Sequence, residues 1–268
     1  MGRDFIKDKK KLVVKIGTSS LTFPNGKLNF QRIEVLAKVL SSLHKNGRKI
    51  ILVSSGAIAV GAGRLGLIER PDELARKQAL AAIGQAELIR IYQKFFDVYQ
   101  QKVAQVLLTR DGVENPMRRN NANNTLNALL DMGIIPIINE NDTVSTEEIE
   151  FGDNDTLSAI VATLVDADLL VLLSDIDGLY SSDPKRNLAA EIIHEVKDIS
   201  REIEEMASGA GSNFGKGGMC TKIAAAKICI HSGIDMIIIN GGNPASLVDV
   251  LNGIEVGTLF KAKEIIKN

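Results

Sequence analysis

Six short apolar runs, separated by longer stretches with helical periodicity, limit most strongly the folds open to this chain. None of them alternates apolar with polar residues, which is typical of strands buried on both faces of a parallel sheet. The alternation of strand and helix predicts an α/β protein, a three-layer α/β/α sandwich with a mainly parallel central sheet. The predicted strands are residues 12–16, 49–53, 103–108, 134–138, 169–173 and 236–239.

The composition fits one large domain or two small ones. Of 268 residues 45% are hydrophobic, and 32 Lys and Arg nearly balance 33 Asp and Glu, for a formal net charge of −1. This balance gives no general attraction to nucleic acid or membrane surfaces. The sequence also lacks a signal-peptide pattern and any apolar run near the ~18 residues of a membrane span. We therefore expect a soluble, cytoplasmic protein whose charges act locally.

The cysteines and histidines are not spaced as metal ligands. Cys220 and Cys229 fall within one predicted helix, residues 219–231, and do not form a close pair. The three histidines are far apart in the sequence. We expect buried thiols, ordinary histidines and no metal site built by protein ligands alone.

Most of the predicted strands end in polar or glycine-bearing segments. In open parallel sheets, ligands bind outside the carboxyl ends of the strands, so these segments should line one crevice. The segments are residues 17–20, 54–56, 139–142, 174–175 and 240–242. A site built this way is assembled from distant parts of the sequence.

Two loops, residues 139–142 and 151–155, carry an unusual density of carboxylates and amides. Such charge beside buried elements is costly unless a cation meets it. Asp155 could cap a predicted helix at 156–165, but capping accounts for only one carboxylate. Lys15, in an apolar strand, either extends to the rim or meets an anion, and Lys222 follows a glycine-rich stretch. Lysines and carboxylates together indicate a site that joins two anions, as phosphorylation of a carboxylate requires.

Two glycine-bearing segments imitate nucleotide-binding motifs. Residues 61–66 satisfy G-x-G-x-x-G, yet they lie beyond the strand-to-helix turn at 54–56, where a dinucleotide fingerprint would begin. We predict that these small residues serve close helix packing. Residues 210–217 lack the first glycine and the Ser or Thr of a P-loop. Their backbone N–H groups could still cradle phosphates, or the segment could be a simple surface loop.

Taken together, the motifs resemble the amino acid kinase family, and within it the glutamate 5-kinase branch. The resemblance extends over essentially the whole chain in the family's order. Its motifs are Lys15-Ile16-Gly17-Thr18-Ser19, Ser54-Ser55-Gly56-Ala57-Ile58, Asn139-Glu140-Asn141-Asp142, Gly152-Asp153-Asn154-Asp155, Gly217-Gly218-Met219 with Thr221-Lys222, and Val256-Gly257-Thr258-Leu259-Phe260. The resemblance implies transfer of the γ-phosphoryl group of ATP to the γ-carboxylate of L-glutamate, at the start of proline biosynthesis.

The resemblance also implies roles for individual residues. Lys15 and Lys222 would stabilise the transferring group from opposite sides, held in register by Asp155. The expected substrate contacts are Ser55, Asp142 and Asn154. The expected ATP-binding residues are Lys15, Ser174, Asp175, Lys216, Gly217, Gly218, Met219, Cys220, Thr221 and Lys222, with Mg²⁺ bridging the phosphates. No general base is expected, because the accepting carboxylate is already ionised near neutral pH.

By the same resemblance, residues 1–268 form a single kinase domain with a glutamate-binding lobe, 1–170, and an ATP-binding lobe, 171–268. A C-terminal PUA domain, common in the branch, is not expected. A homodimer or homotetramer and inhibition by proline are expected. Many relatives carry a Gly-Leu-Gly-Thr-like run where this chain has Asn213-Phe214-Gly215-Lys216. We predict that Lys216 aids phosphate binding, which the KM for ATP of Lys216→Ala would test.

Two alternatives remain at this point. The acceptor could be another small acid or phosphate, such as N-acetylglutamate, carbamate or uridine monophosphate. The motifs at 139–142 and 152–155 favour a free amine, because an acetylated substrate has no ammonium for Asp142 to meet. The chain could also be a catalytically silent amino acid sensor, although a pure binder would not need both lysines and Asp155.

Overall fold

The computed structural model describes residues 2–23, 27–67, 71–145, 154–184, 186–208 and 218–263. Its strands are β1 Lys11–Ile16, β2 Lys49–Ser54, β3 Val103–Leu108, β4 Ile135–Glu140, β5 Leu169–Ser174, β6 Leu179–Tyr180, β7 Ile192–Ile193, β8 Glu195–Val196, β9 Asp235–Asn240 and β10 Thr258–Phe260. Its helices are α1 Thr18–Leu21, α2 Phe30–Lys45, α3 Ala57–Arg64, α4 Leu74–Val98, α5 Arg110–Glu114, α6 Pro116–Asp131, α7 Asn154–Leu164, α8 Arg201–Ser208, α9 Met219–His231 and α10 Ser246–Leu251, after a 3₁₀ helix at Asp4–Asp8.

Eight strands form one sheet in the order β3-β4-β2-β1-β5-β9-β10-β8. Neighbours from β3 to β9 pair in parallel, and β10 runs antiparallel to β9. All six predicted strands are confirmed, each within two residues of its observed bounds. Among the described helices, none combines the length and apolar character that crossing a membrane requires.

The side chains of β1 show why helices cover both faces of the sheet. Leu12, Val14 and Ile16 join one apolar cluster with α2, α4 and α10, whereas Val13 joins a second cluster with α6, α7 and α9. All four side chains are fully buried. Burial of each stabilises the fold by about 2 kcal/mol, which explains why the strand does not alternate apolar with polar residues. The predicted three-layer sandwich is confirmed.

Gly61 of α3 serves close helix packing, as predicted for this segment, whereas a Cβ atom on Gly63 of the same helix would meet no described residue. A Cβ atom on Gly61 would lie 2.0 Å from the carbonyl oxygen of Leu80 in α4. A Cβ atom on Gly84 of α4 would lie 1.7 Å from the carbonyl oxygen of Ala57 in α3. The two helices therefore touch backbone to backbone. This contact holds α4 close behind the turn at which β2 ends.

We expect Gly84→Ala to lower the free energy of unfolding by about 3 kcal/mol or more, because the added methyl group meets backbone that cannot turn aside. Denaturation in urea measures this change. Gly63→Ala is the control, since nothing lies within 4 Å of a Cβ atom at Gly63. The control should be neutral or stabilising, because Ala favours a helix over Gly by about 1 kcal/mol. Equal losses in the two variants would contradict the packing argument.

Candidate active site

Two lysines and one aspartate from distant elements form a buried ion cluster. Lys15 lies in β1, Asp155 in the first described turn of α7, and Lys222 in α9. Lys15 Nζ is 2.5 Å from Asp155 Oδ1, and Lys222 Nζ is 3.0 Å from Asp155 Oδ2. Thr221 Oγ1 also donates to Oδ2, at 3.0 Å. The structure thus brings together the three residues predicted to be catalytic, all of them buried.

Burial and the two lysines act in opposite directions on Asp155. Burial raises the pKa of its carboxyl group, but Lys15 and Lys222 together outweigh burial and hold the pKa well below its usual value. The carboxylate is therefore ionised at neutral pH. The three side chains together carry one net positive charge, which suits the binding of an anionic ligand.

Helix capping, the simpler role considered for Asp155, does not account for its contacts. Helix α7 already includes Asn154 and Asp155. The Asp155 carboxylate contacts side chains of β1 and α9, as described above, because the start of α7 lies at the carboxyl end of β1. The sequence immediately around Asp155 suggests a helix cap, whereas the family resemblance indicates its pairing with the two lysines.

Asn154 ties the ends of β2 and β4 together beside this cluster. Its Nδ2 lies 2.9 Å from the carbonyl oxygen of Ser54, 3.0 Å from Ser55 Oγ and 2.7 Å from Asn139 Oδ1. Asn154 is 1% exposed, so these contacts fix its orientation. Two of the three predicted substrate contacts, Ser55 and Asn154, are therefore direct neighbours.

Buried polar atoms at this place lack a hydrogen-bond partner among the described residues, namely Asn139 Nδ2, Asp142 Oδ1 and Asn154 Oδ1. Asp142 is 2% exposed. Burial, with a smaller contribution from Glu140, raises the pKa of Asp142 to about 7. Buried polar groups without partners cost free energy that a ligand can offset. The oxygens would accept from an ammonium group and the amide would donate to a carboxylate, so an amino acid fits this place.

A cavity of about 530 Å³ lies at the carboxyl ends of β1, β5 and β9. It is lined by Thr18, Ser19, Ser20, Thr22, Phe23, Arg32, Ser174, Asp175, Asn240 and Gly242. A Cβ atom on Gly17 would lie 3.7 Å from Lys15 Nζ and 3.9 Å from Ser19 Oγ, so the cavity adjoins the ion cluster. The predicted crevice at the strand ends is confirmed for these three strands, and it contains Ser174 and Asp175.

The other residues predicted to bind ATP lie at the start of α9. Gly218 has extended backbone before the helix, and its carbonyl oxygen lies 2.8 Å from Thr221 Oγ1. Met219 is half-buried. The prediction of two buried thiols is wrong for Cys220, which lies on the exposed side of the first helical turn, and correct for Cys229.

Three predicted residues cannot be placed. Lys216 and Gly217 of the phosphate-binding segment, and Asp153 of the acidic motif, lie outside the described residues. The expected contribution of Lys216 to phosphate binding stays a prediction.

The profile of the amino acid kinase family matches residues 10–240. The chain belongs to the amino acid kinase family. Glutamate 5-kinase of Clostridium perfringens is 55% identical over 98% of this chain and 99% of the relative. Glutamate 5-kinase of Listeria innocua is 52% identical over 98% of this chain and 96% of the relative. These relatives confirm the resemblance to the glutamate 5-kinase branch, and this family member is a phosphotransferase that uses ATP.

Solved structures confirm the fold of this amino acid kinase. UMP kinase from Bacillus anthracis aligns with a TM-score of 0.62 at 17% identity, covering 94% of this chain and 95% of that one. The isopentenyl phosphate kinase of T. acidophilum aligns with a TM-score of 0.62 at 19% identity, covering 93% and 99%. At these identities the similarity establishes the architecture alone.

Sequence reasoning missed two polar residues of α4 that reach the site from behind. The hydroxyl groups of Tyr92 and Ser54 lie 2.9 Å apart, and Gln85 Nε2 donates to the carbonyl oxygen of Glu140 at 3.1 Å. Both side chains are buried. Helical periodicity places them on the buried face of the kinase's longest described helix, but it cannot show which strand ends their polar atoms meet.

Proposed function

We propose that this chain phosphorylates the γ-carboxylate of L-glutamate with ATP, giving L-glutamyl 5-phosphate and ADP as the first step of proline biosynthesis. The observation that carries the proposal is the buried cluster of Lys15, Asp155 and Lys222. Beside it lie Asp142 Oδ1 and Asn154 Oδ1, which have no hydrogen-bond partner in the part of the chain that the structure describes. The lysine cluster fits a phosphoryl group during transfer, and the Asp142 and Asn154 oxygens fit the α-ammonium group of an amino acid. The similarity to enzymes named glutamate 5-kinase supports the same assignment.

In this proposal the lysines offset the repulsion between two anions, the γ-phosphoryl group of ATP and the accepting carboxylate. Lys15 and Lys222 neutralise charge on the transferring phosphoryl oxygens from two sides, and Asp155 fixes the positions of both ammonium groups. No proton must be removed from the accepting carboxylate near neutral pH, so no general base is needed. Positioning and charge neutralisation account for catalysis, as is general for phosphoryl transfer.

The substrate contacts follow from the chemistry of glutamate. Asp142 and Asn154 accept hydrogen bonds from the α-ammonium group, while Ser55 and nearby backbone N–H groups donate to carboxylate oxygens. An N-acetylated acid would leave Asp142 buried without a cationic partner. This mismatch favours free glutamate over N-acetylglutamate as the acceptor.

The nucleotide occupies the strand-end cavity and the start of α9. Its proposed contacts include Ser174, Asp175, Gly218, Met219, Cys220, Thr221 and the two lysines. Among the described residues, no three acidic, His or Cys side chains gather as a metal site. Mg²⁺ needs no such cage, because it commonly binds through phosphate oxygens, waters and one or two carboxylates. Asp175 in the cavity is such a carboxylate and fits this binding mode.

The wider organisation is part of the same proposal. Residues 1–170 hold glutamate and residues 171–268 hold ATP, with Asp155 of the first lobe paired to Lys222 of the second. We extend the proposal to a cytoplasmic homodimer or homotetramer that proline inhibits by competing near the glutamate site. Unchanged activity in millimolar proline, at subsaturating glutamate, would remove the inhibition from the proposal.

The test is incubation of the purified chain with Mg-ATP, L-glutamate and hydroxylamine, which traps an acyl phosphate as a coloured hydroxamate. We expect glutamate-dependent hydroxamate and little product from N-acetylglutamate. Lys222→Ala, purified in the same way, should form product about a hundredfold more slowly, because it lacks one cation on the transferring group.

The outcomes separate the alternatives. Product from another acid but not from glutamate would keep the kinase chemistry and change the substrate. The absence of hydroxamate with every acid, together with measurable glutamate binding, would favour an amino acid sensor. Equal rates for the wild type and Lys222→Ala would point to a contaminating kinase and contradict the proposed role of Lys222.

A further inference from the structure

A cation outside every motif of the family resemblance lines the strand-end cavity. Arg32 is the third residue of α2, whose start is fixed by Asn29, the side chain of which accepts from the Arg32 backbone N–H at 3.1 Å. Arg32 Nη1 lies 3.5 Å from the carbonyl oxygen of Ser19 and 3.4 Å from that of Ser20. These contacts are at the far limit of hydrogen bonding, so they leave most of the donor capacity of the guanidinium unused.

Ser20 lines the same cavity, and its hydroxyl is buried without a hydrogen-bond partner among the described residues. The residue is 2% exposed, and the atom concerned is its Oγ. A Cβ atom on Gly241 would lie 2.4 Å from this oxygen, so the hydroxyl sits against the backbone at the end of β9. A buried hydroxyl normally has a hydrogen-bond partner, and here a bound ligand can supply one.

The charges of the cavity lining indicate that the guanidinium binds an anion. The only carboxylate in the described lining is that of Asp175, and Arg32 is the only cation. Without Arg32, the lining would carry a negative charge and repel a phosphate group. The planar fork of an arginine can donate to two phosphate oxygens at once, which a single ammonium group cannot do.

Lys15 and Arg32 approach the cavity from different elements, and Arg32 extends from the segment after β1 to the segment after β9. Lys15 Nζ lies beside Gly17 at the end of β1, whereas Arg32 Nη2 lies 3.9 Å from a Cβ atom placed on Gly242, after β9. Strand β5 separates β1 from β9, so these strand ends are about 10 Å apart. One elongated anion, such as a nucleotide polyphosphate, can meet both cations.

We propose that Arg32 and Ser20 form a further binding site for the nucleotide, holding phosphate oxygens of the part that is not transferred. The inference rests on the proposed phosphotransfer, which places the transferring group at Lys15. Because the phosphates held by Arg32 stay on the nucleotide, Arg32 acts on the affinity for ADP as well as ATP. Turnover at saturating ATP is left nearly unchanged.

The experiment is isothermal titration of the purified chain with Mg-ADP in the absence of glutamate. Arg32→Gln should weaken ADP binding about tenfold, because a charge-assisted hydrogen bond is lost. Lys38→Gln is the matched control, since it removes the same charge from an exposed position of the same helix and should leave ADP affinity unchanged. In the hydroxamate assay, Arg32→Gln should raise the KM for ATP by a similar factor and leave the KM for glutamate unchanged.

Two further variants separate binding from a structural role. Arg32→Lys keeps the charge but loses the fork, so its ADP affinity should fall between those of the wild type and Arg32→Gln. Ser20→Ala removes a hydroxyl that has no hydrogen-bond partner among the described residues, so it should weaken ADP binding about threefold without lowering the melting temperature.

Two results would overturn the inference. The first is unchanged ADP affinity in Arg32→Gln. The second is a lowered melting temperature with equal rises in the KM for both substrates, which would show that Arg32 only ties down the Ser19 and Ser20 carbonyl groups. ADP titration does not depend on the acceptor, so a hydroxamate assay that fails with every acid would refute the proposed function separately.

Discussion

Asp155→Asn is expected to lower kcat about a thousandfold and the free energy of unfolding by about 3 kcal/mol. Asn keeps the size of the side chain but removes its charge. The ammonium groups of Lys15 and Lys222, 8% and 7% exposed, then lie buried without their shared counter-ion. Their mutual repulsion displaces them, and catalysis by precisely placed charge is lost. The hydroxamate assay at saturating substrates measures kcat, and urea denaturation measures stability.

Asp235→Asn is the matched control for this prediction. Asp235 is 5% exposed, its Oδ2 is 2.6 Å from Lys9 Nζ, and its Oδ1 accepts from the Ala262 N–H at 2.9 Å. Asp235 is thus a buried carboxylate paired with a half-buried lysine outside the proposed site. Its loss should cost similar stability and leave kcat within about twofold of the wild type. Equal losses of kcat in both variants would show that Asp155 has only a structural role.

The depressed pKa of Asp155 gives the same prediction a pH dependence. Ionised Asp155 stabilises the folded state fully above its unfolded pKa of about 3.9, and this stability is lost as the pH falls through the lower folded pKa. Asn does not titrate. The stability difference between the wild type and Asp155→Asn should therefore be constant from pH 5 to 7 and shrink below about pH 4.

The main sheet could be predicted because parallel buried strands leave a strong local signal. Each of the six predicted runs is a strand of four or more apolar positions, and all except the half-buried edge strand β3 are largely buried. The edge elements β8 and β10, with two and three residues, gave no such signal. Their pairing is set by contacts such as the Arg3 guanidinium, which donates to the carbonyl oxygens of His194 and Val256, and those contacts are remote in sequence.

The site residues that lie in family motifs could be predicted from the sequence, and the others could not. Asp155 was found, but its partners lie 140 and 67 residues away, so a local interpretation gave a helix cap. Arg32 and Ser20 carry no motif and no unusual spacing. Arg32 and Ser20 line a common cavity only because β1, β5 and β9 lie side by side in the sheet. This arrangement depends on tertiary contacts, which the local sequence does not reveal.

Asp142→Asn is expected to raise the KM for glutamate about a hundredfold, because the α-ammonium group loses its anionic partner. The KM for ATP should stay unchanged. With a pKa of about 7, wild-type Asp142 is protonated at lower pH and cannot pair with an ammonium group. The wild-type kcat/KM for glutamate should therefore fall as the pH drops below about 7, and this fall should be absent in Asp142→Asn.

The same substitution is expected to stabilise the unliganded protein at pH 8. Burial raises the pKa of Asp142, so the folded state binds its proton more tightly than the unfolded chain does. Stability therefore decreases as the pH rises from about 4 to about 7, and Asn removes this loss. The gain should be roughly 2–4 kcal/mol, at about 1.4 kcal/mol for each unit of pKa shift. Thermal unfolding with and without glutamate measures it.

Asp8→Asn, which removes an exposed carboxylate, is the control and should change neither KM nor stability. Lower stability in Asp142→Asn would show that its carboxylate holds a structural bond, and an unchanged KM for glutamate would take Asp142 out of the substrate site. A stability gain with a loss of glutamate binding has one physical reason. The carboxylate is buried, and its Oδ1 has no hydrogen-bond partner among the described residues, so the ammonium group of the substrate can neutralise it.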